Sequence, residues 1–283
     1  MFDFLKNHPF AVEAHFERST VLTFALRPEQ LRPLVPPCLA LDMLDDHTAF
    51  LAVALVQTTG LRPAGFPRWL GRDFFLIGYR VFVRFTTPAG KRLRGLFILK
   101  SETDRRAMEL VGNLFTHYHY ATTDLTQTAP APGRHRISSH GSGLEIEFAD
   151  APLVTPAARP AGRAVAAAAP GSAETAVVTL PVAAAVPLPP GSPFADWAQA
   201  RRFAGPLPFT FTHLPDKNAV LVIEGRRENW QPRPLEIISQ QVGFLTRFTD
   251  PAPVLASAFT VENIPYRWRK GRLESLAAWQ AHP

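Results

Sequence analysis

The chain has 283 residues, a length that suits one large domain or two small ones. Hydrophobic residues make up 46% and charged ones 19%, which excludes a disordered chain and calls for a buried core. The net charge of +6 comes from 25 arginines and 5 lysines spread along the chain, without the dense basic run of a nucleic-acid surface.

One cysteine, Cys38, rules out an intrachain disulfide and a cysteine-based zinc cluster within one chain. It follows Pro36-Pro37 in a turn, where an inert thiol is expected rather than a nucleophile. Residues 1–10 lack the basic and long apolar regions of an export signal, and no run of about 18 apolar residues occurs. The expected location is the cytoplasm, with no membrane or nucleic-acid partner and no cofactor.

In chain order, apolar and β-branched residues bounded by turn signals predict strands at 11–16, 21–26, 39–44, 48–58, 74–86 and 92–102. The last two are separated by a hairpin-length turn, residues 87–91. Further strands are expected at 117–127, 144–148, 209–213, 220–224, 235–241 and 254–262. Helices are predicted at 28–35, where Pro28 suits the first turn, and at 104–114, with Asp104 as N-cap. Two more fall at 192–202 and 272–280. Between about 149 and 193 the composition shifts to Ala, Pro and Gly, with a candidate strand at 175–180. It reads as a variable excursion within a single domain of 1–283. The fold class is α+β, mostly antiparallel β.

The run Leu31-Arg32-Pro33-Leu34-Val35-Pro36-Pro37-Cys38-Leu39-Ala40-Leu41-Asp42 resembles the opening of the DUF2071 family, itself similar in fold to acetoacetate decarboxylases. The strand Gly78-Tyr79-Arg80-Val81-Phe82-Val83 is similar to that family's Asn-Val-Arg-Thr-Tyr-Val, and residues 95–102 resemble the strand after it. The likeness covers residues 10–125 well. Its best points beyond are residues 194–203 and Trp230-Gln231-Pro232-Arg233-Pro234. The implied architecture is a closed, curved, acetoacetate-decarboxylase-like β-barrel with a few short helices around a central cavity.

Those decarboxylases attack a ketone with a lysine whose pKa is lowered by burial and a neighbouring cation. Their lysine positions align near residues 115–117, where none stands, and no lysine occurs between Lys100 and Lys217. Their glutamate slot aligns with Leu76. Acetoacetate decarboxylation is therefore not expected.

Lys100 follows an apolar run and would be a displaced amine nucleophile if it faced the cavity; pairing with Glu102 or reaching water is the favoured alternative. Arg80 and Arg84 fall on one strand face, suited to gripping a carboxylate with two parallel donors or to a structural ion pair. His117 and His119 also share a face, but no third ligand stands out for a metal. Tyr118 and Tyr120 are expected to pack, with hydroxyls at the rim. Glu145 and Glu147 read as the polar side of a half-exposed strand. Trp230 and Arg233 are candidates for the cavity mouth. The leading expectation is a small-molecule-binding protein for a small organic acid or similar metabolite. A lyase or related carbonyl enzyme using Lys100 and a non-enzymatic interaction module stand as alternatives, and homo-oligomer formation is compatible with the sequence.

Overall fold

The computed structural model describes residues 4–150, 187–205 and 207–276. Strand β1 (Val12–Leu26) leads into a short helix, α1 (Pro28–Leu31), continued by a 3-10 turn to Leu34. Pro28 sits in the first helical turn, where its missing N–H costs nothing, and the Gln30 side chain accepts the Arg27 N–H at 3.0 Å. Next come β2 (Ala40–Leu41), β3 (Ala49–Pro63), β4 (Arg72–Thr86) and β5 (Arg92–Thr103). Helix α2 (Arg106–Phe115) precedes β6 (Tyr120–Thr122), β7 (Thr126–Thr128), β8 (Arg134–Ser139) and β9 (Leu144–Asp150). The last part holds α3 (Trp197–Phe203), β10 (Phe209–Leu214), β11 (Ala219–Arg227), β12 (Arg233–Val242), β13 (Val254–Trp268) and β14 (Arg272–Ser275).

The strands lie in the order β14-β11-β10-β5-β4-β3-β1-β13-β12-β9-β8-β7, with β2 against β4, β6 beside β5, and a further pairing of β11 with β13. Only β5 with β10 and β5 with β6 are parallel. β12 touches β13 at Arg233 and Pro234, then runs with β9 over Leu235–Val242, so it leads from the main sheet into a smaller one. The pairings of β1 with β13 and of β5 with β10 join residues on either side of 151–186 directly.

β3 is buried on both faces from Ala49 to Val56, the signature of a strand covered above and below. Leu51, Val53 and Leu55, with Phe75, Ile77 and Val81 of β4, pack outward against Ile137, Ile146 and Phe148 of the smaller sheet. The alternate residues, among them Ala52, Ala54, Leu76 and Phe82, turn the other way and line a cavity.

Several boundaries differ from the sequence pattern. The strands expected at 11–16 and 21–26 are one, because the polar residues between them find partners: Arg18 donates to Glu262 of β13 at 2.6 Å. Arg105, not Asp104, stands at the N-cap of α2; Asp104 instead accepts the Phe75 N–H at 2.8 Å. β8 was not anticipated, since its Arg-His-Arg start hides the alternation, yet Arg136 pairs with Glu147 across to β9 at 2.6 Å. Arg272–Ser275 extend along β11 as a strand rather than opening a helix. The candidate strand at 175–180 and most of the Ala/Pro-rich stretch lie outside the described residues.

Candidate ligand cavity

The cavity has a volume of about 590 Å³ and a predominantly apolar wall. β4 contributes Leu76, Arg80 and Phe82; α2 lies across it with Met108 and Gly112; β13 brings Phe259 and Tyr266. The exposed residues of the wall (Phe10, Arg72, Asp73, Arg105, Ala107 and Val111) come from the segment before β1, the start of β4 and the α2 region. They define the mouth.

An irregularity in the β4–β5 pairing decides which side chains enter. Tyr79 pairs with Lys100 but Arg80 with Ile98, so β5 holds one extra residue there. A bulge of this kind inverts the alternation beyond it. Ile98 and Ser101 both face the cavity, while Lys100 and Glu102 turn to the opposite side. There Lys100 Nζ donates to Glu102 at 2.5 Å, and the Tyr79 hydroxyl donates to the same carboxylate at 2.9 Å. Burial, then the Glu102 charge, hold the Tyr79 hydroxyl far above its ordinary range. Lys100 is not a cavity residue.

Arg80 is the central charge of the cavity. It is half-buried, and the surface it keeps belongs to the wall. Its Nε has no hydrogen-bond partner among the described residues. Desolvation lowers its pKa, opposed by Tyr266, Tyr120 and Tyr118 and reinforced by Arg227; among the described residues no carboxylate acts on it. The guanidinium folds back over Gly78, where a Cβ would stand 2.8 Å from Nε. Arg227 lies over the rings of Trp230 at 4.6 Å and Tyr266 at 5.4 Å, and donates to the Leu207 carbonyl at 3.0 Å.

The polar groups around Arg80 are mostly hydroxyls, together with the Trp230 indole N–H. Tyr118 is 7% exposed, and among the described residues the Thr210 hydroxyl interacts with its own. Burial pushes the Tyr118 hydroxyl far up and that of Tyr120 to about 12, so both stay protonated at neutral pH. Trp230 Nε1 has no hydrogen-bond partner among the described residues.

His8 also lines the cavity, 6% exposed with Nδ1 unpartnered, and burial lowers its pKa to about 4. The unfolded chain takes up this proton near 6.5, the folded one only near 4, so stability falls as pH drops through that window. We expect His8 to account for a loss of about 3 kcal/mol between pH 7 and 4. Urea unfolding of wild type and His8→Leu checks it: the variant's stability should be much flatter with pH, and identical profiles would contradict the assignment.

The remaining residues singled out in the sequence lie elsewhere. Arg84 shares the face of Arg80 but lies past the inner end, bound to Asp42 at 2.5 Å. Arg233 pairs with Glu262. His117 and His119 precede β6 in an irregular stretch, His119 with φ of 53°, and line a separate depression of about 360 Å³ with Lys6 and Asn113. His117 Nε2 lies 3.3 Å from Asn7 Oδ1. Tyr118 and Tyr120 enter the cavity instead of sitting at a rim. Trp230 lies on the wall beside Arg227. Cys38 is buried, which pushes its thiol pKa up. Among the described residues, no group of three potential ligands could hold a metal, and no helix is long and apolar enough to cross a membrane.

Fold and cavity together define a β-rich protein of acetoacetate-decarboxylase-like architecture. The DUF2071 family, described as an uncharacterized conserved protein, matches residues 13–260, and the chain belongs to that family. An acetoacetate decarboxylase from Legionella pneumophila subsp. pneumophila str. Philadelphia 1 is similar at 12% identity and a TM-score of 0.51, covering 93% of this chain and 87% of that one. The enduracididine biosynthesis enzyme MppR, in a complex with pyruvate, gives 14% identity and 0.49, with 94% and 90% covered. An acetoacetate decarboxylase-like enzyme from Sphingomonas wittichii RW1 gives 14% and 0.49, with 94% and 92% covered. At these identities the likeness concerns fold alone. No curated protein matches the sequence.

Proposed function

We propose that this protein binds an organic acid in the cavity, with Arg80 gripping the carboxylate, and does not run Schiff-base chemistry. One observation supports the reading above all: a partly desolvated guanidinium faces an apolar lumen, and among the described residues its Nε has no partner and no acid acts on it. A desolvated charge without a counter-ion costs free energy, and such costs persist at functional sites. A carboxylate ligand would supply the missing partner through charge-assisted hydrogen bonds.

The same reading takes β1, β3, β4, β5, β10, β11 and β13 as a closed barrel, because the pairing circuit returns to its start through β11 and β13. It also treats the chain as one domain. Among the described residues, no lysine lines the cavity, and the positions aligned with the decarboxylase lysines, 115–117, are Phe115, Thr116 and His117, the first two on the wall. The Leu76 slot is apolar and buried.

Titration calorimetry with a panel of monocarboxylates tests the binding, and borohydride treatment with keto acids followed by intact mass tests the chemistry. Saturable binding without a mass increase is expected. A reduced adduct on any lysine, or no binding by any acid, would sink the proposal.

A further inference from the structure

Resting on that reading, we infer that the acid is amphipathic: a single carboxylate on an extended apolar body, far larger than a three-carbon keto acid. Size is the first reason. A cavity of about 590 Å³ corresponds to roughly twenty water volumes, which a three-carbon acid would leave mostly empty. Depth is the second. Arg72 is exposed at the mouth and Arg80 lies eight residues further along β4, about 26 Å at the usual rise per residue. Between these levels the wall offers Phe16, Val56, Phe74 and Met108.

Polarity is sorted along this track. Among the described residues, Asp73 is the one acidic side chain on the wall; it stands at the exposed mouth and accepts the Gly60 N–H at 2.7 Å. The unpartnered donors of Arg80 and Trp230, with the Tyr118 hydroxyl, belong to the part around Arg80 and Arg227. A head group of acceptor oxygens fits there, and hydrocarbon fits the stretch towards the mouth, where the buried Thr58 hydroxyl is a polar exception before Arg72 and Arg105 at the opening.

Three glycines keep the lumen clear for such a body. A Cβ at Gly78 would strike Arg80, one at Gly112 would lie 2.4 Å from the Tyr120 ring, and one at Gly225 would lie 2.0 Å from the Tyr266 hydroxyl. Each large polar side chain therefore lies flat in a space that any other residue would fill.

The test is a straight-chain series (butyrate, octanoate, dodecanoate) with 4-phenylbutyrate and 1-dodecanol, titrated against the full chain by calorimetry. Each further buried methylene should tighten binding about threefold to fourfold. Octanoate should then exceed butyrate at least fiftyfold, and dodecanoate should exceed dodecanol. If all acids bind alike through Arg80, the anion site stands and the extended body is refuted. If nothing binds, or the alcohol binds as well as the acid, the Arg80 reading fails with it. Ala54→Phe fills the lumen opposite Gly78, where the Arg80 guanidinium lies, and should weaken dodecanoate at least tenfold; unchanged dodecanoate binding would refute occupancy of the lumen. 4-Phenylbutyrate separates a chain-shaped lumen from a ring-shaped one: binding above octanoate assigns the body as aryl, below it as acyl.

Discussion

Replacing Arg80 with leucine should weaken the proposed carboxylate binding roughly 100-fold, about 3 kcal/mol, and leave the unliganded protein as stable as before or more so. The two halves of this expectation have one cause. In the free protein the guanidinium is partly desolvated, and among the described residues its Nε has no partner and the charged group acting on it is Arg227. Removing it relieves a cost instead of breaking an ion pair. We expect a gain of about 1 kcal/mol, or 2–4 °C in melting temperature. A structural arginine would behave oppositely, losing stability with no specific effect on acids. Thermal unfolding and calorimetry on the same variant separate these outcomes; a clear drop in melting temperature with unchanged binding would remove Arg80 from the site.

Asp42→Asn is expected to destabilise the fold by about 3 kcal/mol. Asp42 is fully buried beside β2, and its two oxygens take Arg84 at 2.5 Å and Arg94 at 2.6 Å. Its backbone N–H bonds the Phe82 carbonyl at 2.9 Å, so the carboxylate ties the segment after β2 to β4 and β5. Asparagine preserves the volume but leaves two guanidinium groups facing each other without a counter-charge. Both arginines remain accessible to water, at 45% and 40% of their side-chain surface, which places the loss at the low end for a broken buried pair. The midpoint of guanidinium chloride unfolding reports it. Adding Arg84→Leu should recover part of the loss, since one of the stranded charges is then gone; a midpoint unmoved by Asp42→Asn would show that water already satisfies both arginines.

The central strands were legible because β3 and β4 are apolar on both faces, and burial on two sides writes itself into composition. Arg80 was legible for a different reason: it stands where the family's strand motif carries its arginine. Arg227, Tyr266 and Trp268 were missed together. They lie on the ends of β11 and β13, beyond where the hydrophobic pattern fades at 224 and 262, and hydrogen bonding between those two strands carries them onward. His8 was hidden because it belongs to no repeating element; tertiary contacts alone bury it. The orientation of Lys100 was equally hidden, since period-two counting puts it on the face of Ile98 and a bulge is not written in apolar periodicity.

That bulge fixes the parity of everything after it on β5. Position 101, occupied by serine opposite Gly78, is where a side chain on this stretch reaches the lumen beside a fixed positive charge. A primary amine at that point would feel the electrostatic pressure that turns lysine into a nucleophile. On the proposed reading, one amino-acid replacement at position 101 would stand between acid binding and carbonyl capture, and the unpaired residue on β5 is what sets that threshold there and not one position earlier.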